Sequence, residues 1–193
     1  ADLFVNCLPE GMPSWMLINH NAIEFLFTPG RVTILGESDG NRLRRIYTDG
    51  RGHPDDPAPT FHGHSIGHWE NGTLVVDTIG FNDRAWLNSD RWAHTQELHI
   101  IERYRLFGGG KYLQIRVFVD DRKALKAPYT YTRYYTKMPE ATEGGENICN
   151  QNLPEDDLWA IRRNKLLAEH EAQLKALMAK YANEPLPDRK SVV

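Results

Sequence analysis

The clearest indication of the fold is the stretch HSIGHWENGTLVVDTI, residues 64–79. Two strand-like runs flank Asn71-Gly72, a pair that strongly favours a two-residue type I′ hairpin turn. The turn sets the register and pairs His64 with Ile79, Ile66 with Asp77, His68 with Val75, and Glu70 with Thr73. Because cross-strand partners share a face, this hairpin is predicted to carry two histidines and an aspartate among aliphatic side chains on one face.

Outward from this hairpin, turn residues separate further runs that are rich in β-branched and aromatic residues. Strands are predicted at residues 24–27, 31–36, 41–47, 62–69, 73–81, 95–107, 111–121 and 129–137. No helical pattern lies between them, although a parallel α/β sheet would require helices there. The sequence therefore predicts a mainly β protein, an antiparallel β-barrel of about eight strands that is closed or nearly closed.

The pattern changes at Pro154, which suits the first turn of a helix. Apolar residues then recur at helical spacing: Leu158, Ile161, Leu167, Leu174, Leu177, Met178 and Tyr181. We expect a barrel domain with an N-terminal arm at residues 1–153, a long C-terminal α-helix at 154–184 and a tail at 185–193. The helix would pack on its own barrel or on a partner helix in a homodimer.

Composition limits the classes of partner. The 193 residues are 40% hydrophobic and 25% charged, which is typical of a globular domain. Lys+Arg 23 and Asp+Glu 26 give a net charge of −3, and no basic stripe is present, so nucleic acid and anionic membrane are not expected as partners. We expect a disulfide between Cys7 and Cys149, which would indicate a periplasmic or secreted protein. The alternative is two separate buried thiols.

The second long hairpin turns at residues 108–110, which are all glycine. If Phe107 lies opposite Lys111, then Arg103 lies opposite Ile115 and Ile101 opposite Val117. The face shared by these residues and His99 is mostly aliphatic, so we expect it to point into the barrel. The opposite face, which includes Glu102 and Tyr104, is expected to be solvated.

Together the two hairpins predict a cavity inside the barrel with titratable groups in its wall. The candidate catalytic residues are His64, His68, Asp77, His99 and Arg103. The candidate substrate-binding residues are Arg45, Tyr47, Ile66, Val75, Ile79, Ile101, Ile115 and Val117. A histidine beside a carboxylate suits general acid–base catalysis, and an arginine can stabilise developing negative charge.

Two other interpretations of these polar residues stay open. The cluster could be a hydrogen-bonded structural network, and the loop at residues 49–54 could either fix its own turn or close the barrel mouth. His62-Gly63-His64 with His68 is similar to part of a cupin metal motif, but Gly67 and His68 stand where a cupin would have its glutamate. We therefore expect no metal and no cofactor.

Three segments resemble a known family: YTDGRGHP at residues 47–54, GHSIGHWE at 63–70 and TLVVDTIGF at 73–81. This combination is similar to a family of exported bacterial proteins that is common in sphingomonads and acidobacteria. The resemblance implies a lipocalin-like, calycin-type barrel. It supplies no catalytic residues, so the site rests on strand register alone.

These observations predict a cofactor-independent enzyme that uses His/Asp/Arg acid–base chemistry on an apolar, aromatic small molecule inside the barrel. A lyase, an isomerase and a hydrolase are all compatible with that chemistry. Three alternatives stay open: a non-catalytic lipocalin-type carrier, a metal-dependent barrel enzyme, and an interaction module that works through the C-terminal helix.

Overall fold

The computed structural model describes residues 8–18, 22–38, 42–88, 90–139, 142 and 145. A short 3₁₀ helix, Ser14–Leu17, precedes eight strands. The strands are β1 (Ile23–Thr28), β2 (Arg31–Gly36), β3 (Leu43–Tyr47), β4 (His64–Glu70), β5 (Thr73–Ile79), β6 (His99–Phe107), β7 (Tyr112–Asp120) and β8 (Tyr129–Thr136). The predicted helix from Pro154 and both cysteines lie outside the described residues.

The eight strands form one sheet in chain order, curled into a half-barrel, which confirms the prediction of a mainly β fold. Neighbouring strands are antiparallel except β3 and β4, which pair in parallel through Ile46 with Ser65 and Tyr47 with Ile66. The prediction of a wholly antiparallel sheet is therefore wrong at this step. Because β3 and β4 point the same way, residues 48–63 must return along the sheet between them.

The first hairpin has the predicted register. All four predicted pairs of β4 and β5 are present, from His64 with Ile79 to Glu70 with Thr73. Asn71 and Gly72 have φ of 47° and 77°, and a type I′ turn needs positive φ at both positions.

The predicted register of the second hairpin is wrong by one residue. Phe107 lies opposite Tyr112, so Arg103 pairs with Arg116 and His99 with Asp120. All three turn glycines have positive φ, and the turn extends through Lys111. The extra turn residue moves β7 by one position, and such a shift exchanges the two faces of a strand.

The prediction of which side chains point inward is wrong for His64, His68, Asp77, His99 and Arg103. The inner face of β4 and β5 instead carries Ser65, Leu74, Val76 and Thr78, and that of β6 carries Ile100, Glu102 and Tyr104. Ile115 and Val117 do point inward, as predicted, and both lie in the core. The segment before β1 fills the interior with Met12, Trp15 and Met16, each at most 1% exposed.

A buried ion pair explains how charged residues occupy the inner face. Glu102 is 0% exposed, and the Arg44 guanidinium donates through Nη1 to its Oε1 at 3.0 Å. Arg44 Nη2 also donates to Thr78 Oγ1 and Ser65 Oγ, and the Tyr104 hydroxyl donates to Glu102 at 2.7 Å. Burial by itself would lower the pKa of Arg44, but the Glu102 carboxylate raises it above its ordinary value. The expectation that Glu102 and Tyr104 are solvated is therefore wrong.

No helix in the described part of the chain is long and apolar enough to span a lipid bilayer.

Glu102→Ala should lower the free energy of unfolding by about 3–5 kcal/mol, because it leaves the Arg44 charge buried without a partner. The matched control is Glu97→Ala, which removes a carboxylate from an exposed ion pair with Lys123 and should cost less than about 1 kcal/mol. Urea unfolding measures both values, and equal costs would contradict a dominant role for the buried pair.

Candidate functional site

The outer face of the sheet carries a continuous chain of four titratable side chains. His64 Nδ1 lies 2.9 Å from His53 Nδ1, and His53 Nε2 lies 3.0 Å from Asp77 Oδ1. His99 Nε2 is 3.0 Å from Asp77 Oδ1 and 3.1 Å from Oδ2. We call His53, His64, Asp77 and His99 the histidine–aspartate cluster.

Three adjacent strands and one loop bring the cluster together. His64 begins β4, Asp77 lies near the end of β5, and His99 begins β6. In the observed register Asp77 lies opposite both Ile66 and Ile101, so His64 and His68 on β4 and His99 and Arg103 on β6 are its diagonal neighbours on the same face. Of these four, His99 is hydrogen-bonded to Asp77 directly and His64 is linked to it through His53. His53 comes from the connection between β3 and β4 and reaches the outer face, where it contacts His64 and Asp77.

Asp77 and His99 stabilise each other's charged forms. A carboxylate can only accept, so His99 Nε2–H is the donor in this pair. The hydrogen bond from His99, followed by that from His53, lowers the pKa of Asp77. The same hydrogen bond to Asp77, together with the charges of Asp77 and Asp120, raises the pKa of His99. Both side chains stay accessible, at 38% and 37% exposure.

The pKa of His64 is shifted in the opposite direction from that of His99. Partial burial, followed by the electrostatic effect of His53 and Arg51, lowers the pKa of His64. In the neutral tautomer of His53 that donates its Nε2–H to Asp77, Nδ1 is an acceptor. His64 must then donate from Nδ1, which leaves a lone pair on His64 Nε2, the arrangement of a general base.

A stack of planar groups holds His64 in place. The Tyr47 ring lies 5.5 Å from the His64 ring at an interplanar angle of 25°. The Arg51 guanidinium lies 4.1 Å from the centre of the Tyr47 ring, and Asp49 binds that guanidinium through both carboxylate oxygens. The stack therefore joins the loop after β3 to the start of β4.

Two predicted catalytic residues lie elsewhere on the same face. His68 Nε2 is 2.8 Å from Glu70 Oε1, and Arg103 donates to Glu70 Oε2 at 2.6 Å. His68 is four residues from His64 on β4, and Arg103 is four residues from His99 on β6. Four residues span about 13 Å along a strand. Of the five predicted catalytic residues, the structure thus brings together His64, Asp77 and His99.

The predicted substrate-binding residues divide between the two sides of the sheet. Tyr47 contacts His64, and Ile66, Val75, Ile79 and Ile101 share the outer face with the cluster. Arg45 is exposed on β3 and has no hydrogen bond or ion pair in the described part of the chain. Ile115 and Val117 lie in the core, on the opposite side of the sheet from the cluster.

His53 is the one member of the cluster that the sequence did not predict. For the loop at residues 49–54 the sequence predicts only that it fixes its own turn or closes the barrel mouth. Loop residues have no register that would place them against a strand. One sequence signal was available, since a histidine stands in a long connection immediately before the strand that begins with His64.

The cluster is joined by hydrogen bonds between its own members. Asp77 Oδ1 accepts from both His53 and His99. Within the described ranges, no set of three His, Cys, Asp or Glu side chains has the geometry to hold a metal ion.

Comparison of the chain with models of known protein families, with curated proteins and with solved structures finds no match. The resemblance to the exported bacterial family stays a prediction, and function is argued from the residues of the cluster.

His64 and His99, the two ends of the cluster, should have clearly different pKa values. We expect NMR titration of the ring nitrogens to give His99 a pKa above the ordinary histidine value of about 6.5 and His64 a pKa below it. Asp77→Asn should lower the pKa of His99, because the negative charge that stabilises its protonated form is removed. Glu70→Gln is the control, since Glu70 contacts His68 and Arg103 instead. An unchanged His99 titration in Asp77→Asn would contradict the coupling.

Proposed function

We propose that this protein is an enzyme that moves protons on a small molecule bound at the outer face, with His64 as general base and His99 as general acid. The observation that carries the proposal is the unbroken chain from His64 through His53 and Asp77 to His99. Both end histidines also reach solvent, so a substrate can approach them.

The opposite pKa shifts at the two ends support this division of roles. A base must be unprotonated at the working pH and an acid must be protonated. The lowered pKa of His64 and the raised pKa of His99 are shifts in these two directions. Environments that push the pKa values of nearby groups apart are a recurring feature of acid–base sites.

Asp77 and His53 act as positioning residues. Asp77 is bonded to both His53 and His99, so one carboxylate fixes the ring orientation of two histidines. His53 in turn selects the tautomer of His64 that leaves Nε2 free to accept a proton. Loss of either residue should disturb the base without removing it.

An apolar, aromatic substrate remains the proposed class. Ile66, Ile79 and Ile101 lie on the same face as the cluster, and the Tyr47 ring already stacks on His64. We place the substrate on the outer face, not inside the barrel as the sequence predicts, because side chains of the N-terminal segment and the strands fill the interior.

The reaction type that suits this site best is a lyase or isomerase reaction. His64 Nε2 would take a proton from a C–H or O–H group of the substrate. The electron pair left behind would form a new double bond, and His99 would protonate the leaving group or a second carbon. A hydrolase is compatible with the same residues if His64 takes its proton from water. Each of these reactions moves only protons and electron pairs of substrate and water, so we propose no cofactor.

We further propose a lipocalin-like barrel and a periplasmic or secreted location. Sequential strand order supports the first, although the parallel β3–β4 pair departs from an up-and-down barrel. The proposed periplasmic or secreted location depends on a disulfide between Cys7 and Cys149.

A screen in deuterium oxide tests the activity on many candidate substrates at once. The protein is incubated with a mixture of small aromatic compounds that carry acidic C–H bonds, and NMR follows deuterium incorporation and new products. His64→Asn and His99→Asn should each lower the rate by about 10²–10⁴-fold, the usual contribution of one general acid or base. His68→Asn, on the same face but outside the cluster, should keep the wild-type rate. Ligand binding without exchange or turnover would instead identify a carrier.

The pH dependence of turnover should be bell-shaped. Activity should fall in acid as His64 becomes protonated and in alkali as His99 loses its proton. Asp77→Asn should move the alkaline limb to lower pH, because it lowers the pKa of His99, and leave substrate affinity nearly unchanged. An alkaline limb that stays in place would contradict the role of His99 as the acid.

A further inference from the structure

The outer face of β6, β7 and β8 carries a second group of exposed residues at the end of the sheet near residues 108–110. In three rows across the strands, it contains Arg103, Arg116 and Thr132, then Arg105, Gln114 and Tyr134, then Phe107, Tyr112 and Thr136. We call these nine residues the arginine–aromatic patch. It contains no acidic residue.

The three arginines of the patch lie close together, and only one of them has a carboxylate partner in the described part of the chain. Arg103 and Arg116 lie directly opposite each other on β6 and β7, and like charges at such positions destabilise a sheet. Arg103 is bonded to Glu70 from β4. Arg105 and Arg116 are both exposed and form no ion pair in the part of the chain that the structure describes. The patch therefore has a net positive charge.

Aromatic rings border these arginines. Tyr134 is 58% exposed, Tyr112 41% and Phe107 39%. Phe107 stacks on Tyr112 at 5.2 Å and meets Tyr134 edge-on at 6.1 Å, so the rings form a rigid group. Gln114 donates to the Tyr134 hydroxyl at 3.1 Å and lies opposite Arg105, so it stands between that ring and the arginine.

We propose that the arginine–aromatic patch binds a linear polysaccharide whose sugars carry carboxylates. Guanidinium groups bind carboxylates through paired hydrogen bonds, and flat aromatic rings pack on the apolar faces of sugar rings. Three strands and three rows span about 10 by 14 Å. That is a surface for a few sugar units and far below the roughly 800 Å² that each partner of a stable protein complex buries.

Charge separates this ligand from other polyanions. The chain has a net charge of −3, which opposes the approach of every polyanion and opposes most strongly those of highest charge density, duplex nucleic acid and an anionic bilayer. A carboxylated polysaccharide has one charge per sugar at most, which the arginines of the patch can match. The proposal is independent of the acid–base function, because the patch and the histidine–aspartate cluster have no residue in common.

Isothermal titration calorimetry with polygalacturonate at low salt tests the proposal on the full chain. Wild-type protein should bind, and its affinity should fall as salt rises. Arg105→Gln with Arg116→Gln should weaken binding by about tenfold, as expected for the loss of two exposed ion pairs. Arg31→Gln with Arg122→Gln removes the same charge outside the patch and should bind as wild type does.

Three comparison ligands complete the experiment. Fully methyl-esterified polygalacturonate has the same backbone without the charges and should bind at least about tenfold more weakly. Equal binding of the esterified polymer, tighter binding of single-stranded DNA or of phosphatidylserine vesicles, or no binding of polygalacturonate would overturn the proposal. Tyr134→Ala should weaken binding without changing its salt dependence, since it removes a stacking surface and no charge.

Discussion

The Arg44–Glu102 ion pair allows two charged residues to lie on the side of the sheet that forms the core. Arg44 on β3 and Glu102 on β6 balance each other's charge on the inner face. Ser65, Thr78 and Tyr104 complete their hydrogen bonds. Once these side chains point inward, strand alternation places His64, Asp77 and His99 on the outer face. The location of the titratable cluster is thus a consequence of the way the core is paired.

The parallel step between β3 and β4 has the next largest effect. A hairpin at this point would have kept residues 48–63 at one end of the sheet. The parallel pairing requires a connection that returns past the strands, and its residue His53 bridges His64 and Asp77 on the outer face, where Tyr47 stacks on His64. One topological choice therefore supplies the residue that links the base to the carboxylate.

The outer face then carries two groups of different chemistry. The histidine–aspartate cluster separates the pKa values of its end histidines, whereas the arginine–aromatic patch concentrates positive charge beside exposed rings. Glu70 ends β4 and contacts both His68 and Arg103, so these two predicted catalytic residues share one carboxylate partner. The concave side of the sheet serves stability, and the exposed side is where we place function.

Local sequence was enough to predict the strands, the register of the Asn71-Gly72 hairpin and the grouping of His64 with Asp77, because turn type and alternation are local properties. It did not show which face is inside. Aliphatic and polar residues occur on both faces of β5 and β6, and the face that carries Glu102 can become the core because Arg44, 58 residues away in the chain, pairs with it. The glycine turn at residues 108–110 permits more than one register, so the face of β6 relative to β7 was also open. The position of His53 is visible only in the folded chain. A loop residue is placed by tertiary contacts, because a loop lacks the alternation that assigns strand residues to a face.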